Sequence, residues 1–211
     1  MLNNNNTFTG TTSITGGILN IQTGSDLNFD SALGAGNSSS AQGTTVSSGA
    51  TLQLEHGTGI AVTKERLTIS GSGYDPGTGV LGALNNLSGS NTWGAGAATT
   101  LINLAADARI NSSAGLLTIA TNIGSSANNA LTVGGAGDTT ISGSIGTGSG
   151  STTRLTKDGA GTLILSGNNS YQGATNITAG VASVQNNSGL GAVTTGADGT
   201  FVTSGAELQL S

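Results

Sequence analysis

The chain has 211 residues, 7% of them charged, and a formal net charge of −5. Five Lys and Arg are too few to neutralise a nucleic-acid backbone, no apolar run approaches the ~18 residues of a membrane helix, and zero Cys excludes disulfide frameworks and thiolate zinc sites. Gly accounts for 37 residues and Pro for one, without a strict triplet, which excludes collagen. Gly, Ser, Thr and Asn together exceed half the chain, a composition that often stays unfolded. The low net charge and the patterned apolar residues argue for a fold instead.

Those apolar residues recur as short alternating runs of Leu, Ile and Val, the mark of half-buried strands. Met1-Leu2-Asn3-Asn4 lacks the basic and apolar regions of a signal peptide, and the last run stops at Leu210-Ser211. The chain is therefore read as a segment of a longer protein. Strands are expected at 13–14, 18–21, 45–46, 51–54, 66–69, 100–104, 116–119, 130–133, 139–145, 162–165, 176–177, 181–184, 201–202 and 207–210. Gly, Asn, Ser or Asp separates them, as turns require. The best helical stretch is Leu104–Arg109, and it is weak.

Internal repeats choose among the all-β folds. Residues 5–18 align without a gap to residues 168–181, placing Phe8 opposite Tyr171 and Gly17 opposite Gly180. A partial copy at 88–93 places Trp93 opposite Tyr171. Gly43–Leu54 aligns to Gly199–Leu210, with Gly49 opposite Gly205. The common grammar is a β-branched residue, two small residues, Gly, then an alternating apolar strand. One such unit cannot bury its apolar side, but stacked units bury a continuous column. The expected architecture is a single all-β, right-handed parallel β-helix over 1–211, of roughly nine coils at a typical 20–25 residues each. Repeat copies lie near 5–54, 88–120 and 155–210. The structural repeat motif is read at Phe8, Gly17, Gly49, Trp93, Gly159, Gly161, Gly167, Tyr171, Gly173, Gly180 and Gly205, with the corner grammar at Gly17, Gly49, Gly180 and Gly205.

Residues 155–180, Leu-Thr-Lys-Asp-Gly-Ala-Gly-Thr-Leu-Ile-Leu-Ser-Gly-Asn-Asn-Ser-Tyr-Gln-Gly-Ala-Thr-Asn-Ile-Thr-Ala-Gly, resemble the autotransporter-associated β-strand repeat. The likeness is close over about 30 residues and looser around Phe8 and Trp93. It implies a passenger region of a type V secreted protein of a Gram-negative bacterium, displayed outside the outer membrane. The copy at Phe8 lacks the Leu-Thr-Lys stretch, and the copy at Trp93 lacks the Gly-x-Thr that follows.

Chemistry-bearing motifs are sparse. Gly77-Thr78-Gly79-Val80-Leu81-Gly82 fits the dinucleotide glycine pattern but has no βαβ context. Gly134–Asp138 resembles a calcium nonapeptide with its Asp one position early, and reads better as a turn Asp capping its own backbone. Glu55-His56 with Lys64-Glu65-Arg66 is the densest charged group and reads as a solvated turn. Only Asp26 and Asp30 are close enough in sequence to suggest the carboxylate pair of a glycosidase. The Thr residues look out of register for an ice-binding face. Phe8, Trp93 and Tyr171 read as packing residues.

No catalytic residue, metal site or cofactor is expected. Loops leaving the coil are where a solenoid carries binding, which singles out 29–40, with Asp30 and Asn37, and 71–84, with Tyr74 and Asp75. The expected role is a non-catalytic stalk or adhesin segment. A carbohydrate-active enzyme and a self-associating module are the alternatives. Its partner is a surface receptor, a glycan or another copy stacked end to end, with the monomer as the basal state.

Overall fold

The computed structural model describes residues 1–4, 6–24, 30–35, 43–63, 65–94, 101–125, 127–147, 153–192 and 198–211. They form 22 strands and, among the described residues, no helix. The first coil holds β1 (Thr12–Ile14) and β2 (Gly17–Ile21). A short hairpin follows, β3 (Asp30–Ser31) and β4 (Gly34–Ala35). The second coil holds β5 (Thr44–Val46), β6 (Ala50–Glu55) and β7 (Ala61–Val62). The third holds β8 (Leu67–Gly71), β9 (Leu84–Ser88) and β10 (Ser90–Trp93). The fourth holds the long β11 (Leu101–Ser112) and β12 (Leu116–Ile119). The fifth holds β13 (Asn122–Ser125), β14 (Ala130–Gly134) and β15 (Asp138–Ile141). The sixth holds β16 (Ile145–Thr147), β17 (Arg154–Lys157) and β18 (Thr162–Leu165). The last two hold β19 (Thr175–Ile177) with β20 (Gly180–Val184), and β21 (Thr200–Val202) with β22 (Ala206–Leu210).

Every strand pairing outside the β3–β4 hairpin is parallel and joins one coil to the next, which makes the fold a parallel β-helix. The longest path, β1-β5-β8-β11-β14-β17-β19-β21, gives eight coils against the roughly nine expected from average coil length. The insertions after β2 and after β8 lengthen individual coils and lower the count. The strands fall on three faces. β1, β5, β8, the start of β11, β13 and β16 form face one. β2, β6, β9, the end of β11, β14, β17, β19 and β21 form face two. β7, β10, β12, β15, β18, β20 and β22 form face three.

The core follows from alternation. On face three the partners Val62, Trp93, Ile119, Ile141, Leu165, Val184 and Leu210 stack in register. All but Leu210 are buried. On face two Leu52, Leu84, Ile110, Val133, Lys157 and Ile177 stack likewise. Lys157 occupies a core position, 2% exposed, because its Nζ donates to the carbonyls of Asp158, Gly159 and Ala179 at 2.7, 2.8 and 3.1 Å. Burial holds its ammonium below the ordinary lysine range.

Two sequence expectations change here. Leu104–Arg109, the best helical stretch, lies within the strand β11, where pairing with both neighbouring coils overrides a weak local preference. Stretch 139–145 divides into β15 and β16 at a corner around Gly143. Gly173, a glycine of the repeat motif, lacks a positive φ, as do Gly161 and Gly167. It sits at a half-buried bend in the connection from β18 to β19, where its amide donates to Thr153 O of the preceding coil at 3.1 Å. That backbone bond to the coil before it, not a left-handed turn, fixes the bend. Strands β3, β4, β7, β9, β10, β13 and β17 lie outside the expected ones; they are polar or short, and pairing with neighbouring strands makes them strands.

Candidate functional site

Between β8 and β9 the chain leaves the coil and returns. Gly73 and Gly82 form a bridge at the base, Gly82 N donates to Ser72 O at 2.9 Å, and Leu81 N donates to Tyr74 O at 3.0 Å. Gly73 has φ 87° and Gly82 φ 89°, and a Cβ on Gly73 would run into the Gly82 backbone, so the base needs both glycines. At the tip, Asp75 Oδ1 accepts from the amides of Gly77 at 2.7 Å and Gly79 at 3.3 Å. The fully buried Thr51 of β6 ties the base down: its hydroxyl donates to Gly82 O at 2.8 Å and accepts from Tyr74 N at 2.9 Å. Residues 74–80 are exposed above this anchored base.

A groove of about 280 Å³ runs between this loop and the outer side of face two. Val80 and Ala130 supply its exposed apolar wall, the buried Ala108 lies at its floor, and Ser72, Asp107, Arg109 and Thr132 are its polar groups. Asp107 Oδ1 accepts from Ala130 N at 2.7 Å. Arg109 grips Asp158 through Nη1 at 2.7 Å and Nη2 at 2.8 Å, and Nη2 reaches Asn111 Oδ1 at 3.2 Å. The polar ladder continues from Asn111 Nδ2 to Asn85 Oδ1 at 3.0 Å, and from Asn85 Nδ2 to Gln53 Oε1 at 3.4 Å. The loop is thus packed on a hydrogen-bonded surface, and the groove is built before any ligand arrives.

A second, polar cavity of about 430 Å³ is lined by Asn3, Gln22, Glu55, His56 and Ser88. Glu55 Oε2 is held by Asn20 Nδ2 at 2.7 Å and Gln22 Nε2 at 3.1 Å, and His56 Nδ1 meets Thr58 N at 3.3 Å. The charged group read as one solvated turn therefore divides. Glu65 is 2% exposed, bonded from Thr44 Oγ1 to its Oε1 at 2.7 Å, and burial pushes its carboxyl up to about 7. Lys64 lies outside the described residues. Solvation fails for Glu65 because its carboxylate is buried against Thr44 of β5.

The expected site residues separate as follows. Tyr74 and Asp75 are at the exposed loop tip. Asp30 pairs with Ala35 in the β3–β4 hairpin, and Asn37, like half of 29–40 and Asp26, lies outside the described residues. Trp93 and Tyr171 are fully buried, whereas Phe8 is 44% exposed. Tyr171 Oη bonds Thr175 Oγ1 at 2.6 Å, and burial raises its phenol to about 12. Gly77–Gly82 belongs to the protruding loop. Asp138 does not cap its own backbone; its Oδ1 accepts from Thr162 N of the next coil at 2.8 Å. Thr92, Thr118 and Thr140 of face three stand in register over three coils, closer to a Thr array than the sequence suggested, but the column continues as Ile164 and Ser183.

Corner glycines form close-packed ladders. A Cβ on Gly115 would strike Gly89 O, one on Gly161 would strike Gly137 O, and one on Gly180 would reach Gly159 O at 2.5 Å. Gly167 meets Gly143 O in the same way. Gly17, Gly49 and Gly205 have open space but φ of 70°, 81° and 84°. Sequence reasoning missed Thr51, Asp107 and Arg109. The signal available was Arg109 itself, one of five basic residues in the chain, in a stretch read as weakly helical.

Among the described residues no group of three or more His, Cys, Asp or Glu side chains gathers as a metal site. No curated protein and no solved structure matches the chain. The family model described as the passenger-associated-transport-repeat matches residues 1–21 and 155–181. The second stretch covers β17 to the start of β20, including Lys157 and Tyr171, and the first covers β1 and β2. Two stretches of the chain are thus similar to the passenger-associated-transport-repeat, and both lie on the parallel β-helix.

Proposed function

We propose that this chain is an extracellular, non-catalytic segment of an autotransporter passenger that works as an adhesive stalk on the bacterial surface. The observation that supports this reading is the pairing of a repetitive β-helix with one protruding loop locked to it by Thr51. A stalk needs length and stiffness, which stacked coils supply. An adhesin also needs a fixed, exposed feature, and residues 74–80 are that feature.

A carbohydrate-active enzyme is the weaker reading. The acids that such an enzyme would gather are used structurally on different coils: Asp107 for Ala130 N, Asp138 for Thr162 N, Asp158 for Arg109, and Glu55 for Asn20 and Gln22. Self-association is the other reading, in which another copy stacks on the strands of one end. Beads coated with the purified chain test the adhesive reading against host cells, matrix proteins, glycans and identically coated beads. Saturable adhesion competed by soluble chain is expected. Folded protein that binds none of these surfaces returns the segment to a pure spacer, and adhesion between coated beads alone makes it a self-associating module.

A further inference from the structure

We infer that the groove between the 72–82 loop and face two binds a single neutral sugar ring, an inference whose biological use rests on the adhesive reading above. Three features of the groove carry it. First, it is preformed: Thr51 fixes the loop on one side, and Ala108 and Ala130 sit on paired strands on the other. A weak ligand gains most from a site that need not be ordered. Second, its lining is divided as a pyranose is divided. Val80 and Ala130 offer an apolar wall to the C–H face of a ring, while Ser72 and Thr132 offer hydroxyl partners to the ring hydroxyls. Third, the ionic groups are already committed. Both Arg109 Nη atoms are bonded to Asp158, and Asp107 Oδ1 is bonded to Ala130 N. An acidic sugar or a phosphate would have to break the Arg109–Asp158 pair before finding its cation, so the site favours neutral rings. The volume of about 280 Å³ is below that of a drug-sized pocket and suits one ring with its neighbours projecting along the open groove.

The test is amide NMR of the 15N-labelled chain titrated with glucose, galactose, mannose and N-acetylglucosamine, with glucuronic acid as the acidic comparison. At least one neutral sugar is expected to shift the amides of Ser72, Val80, Ala108 and Thr132 saturably, with a dissociation constant on the order of 1 mM. Val80→Arg, on the exposed loop, should abolish those shifts with the remaining spectrum unchanged. Thr51→Val, which removes both loop anchors, should weaken them at least tenfold, roughly. Absence of saturable shifts, shifts that survive Val80→Arg, or tighter binding of glucuronic acid would each overturn the assignment. The two proposals fail separately: beads that adhere with no sugar response sink the groove alone, and a sugar response without adhesion sinks the adhesive reading alone.

Discussion

Arg109 and Asp158, 49 positions apart, meet at 2.7 Å across an intervening coil, from the fourth coil to the sixth. The residue between them is Gly134, and a Cβ there would strike both Asp158 Oδ1 and Arg109 Nη2. The missing side chain is what lets the pair close. Gly134 pairs with Asn111 in the stack, so the polar ladder of face two gives way at this level to an ion pair spanning two layers.

Gly134→Ala should therefore act through the pair. We expect a loss of about 1 kcal/mol in urea unfolding, vanishing when Asp158→Ala is already present. Equal costs in both backgrounds would show that the glycine matters for some other reason.

The corner ladder predicts a sharp contrast between two glycines. Gly161→Ala places its Cβ on Gly137 O, backbone that cannot move without shifting the coil below, and should cost at least about 3 kcal/mol. Gly16→Ala meets nothing within 4 Å and should stay within about 0.5 kcal/mol. Thermal melts of the two variants beside the parent chain check this directly.

Glu65 makes stability depend on pH with a known sign. Its folded pKa, raised to about 7, exceeds the ordinary 4.5, so the folded state holds the proton more tightly. Its contribution is complete below pH 4.5 and is lost as pH rises through 7. Glu65→Gln mimics the protonated form. The variant should match the parent near pH 4 and exceed it by ~3 kcal/mol well above pH 7. A gap that does not change with pH would contradict the burial argument.

Trp93 takes an aliphatic place in the face-three column, between Val62 and Ile119, and its buried Nε1 has no hydrogen-bond partner. Trp93→Ala should cost about 3–5 kcal/mol through the cavity it leaves. Trp93→Leu should cost only about 1–2 kcal/mol, because it restores the column's chemistry and removes a buried unsatisfied donor. Denaturant unfolding followed by circular dichroism compares the two.

The repeat grammar was legible in the residues because it is local. A β-branched residue, two small ones, a Gly at positive φ and an alternating strand make a corner wherever they occur, and Gly17, Gly49, Gly180 and Gly205 turn as that grammar requires. Gly173 stands outside that grammar, with no β-branched residue ahead of it and its amide spent on Thr153 O, and it makes no such corner. Which faces the corner joins is not local. Gly43–Leu54 becomes β5–β6 on faces one and two, while its near-copy Gly199–Leu210 becomes β21–β22 on faces two and three. Trp93 and Tyr171, matched in sequence, also part company: Trp93 enters the face-three column, and Tyr171 follows β18 and packs beside Gly146.

By itself, then, the sequence determined the all-β class, the stacking of coils, the turn glycines of the repeat and the kinship with passenger repeats, since each rests on spacing within about 30 residues. The tertiary structure decided the number of coils, the strand identity of Leu104–Arg109, the burial of Lys157 and Glu65, and the groove itself. Each of those depends on which coil lies above or below. Thr51 anchors a loop more than 20 residues away, and Arg109 finds Asp158 only because β14 between them presents a glycine. Stacking makes neighbours of residues whose separation varies with every insertion, so no fixed sequence interval announces them.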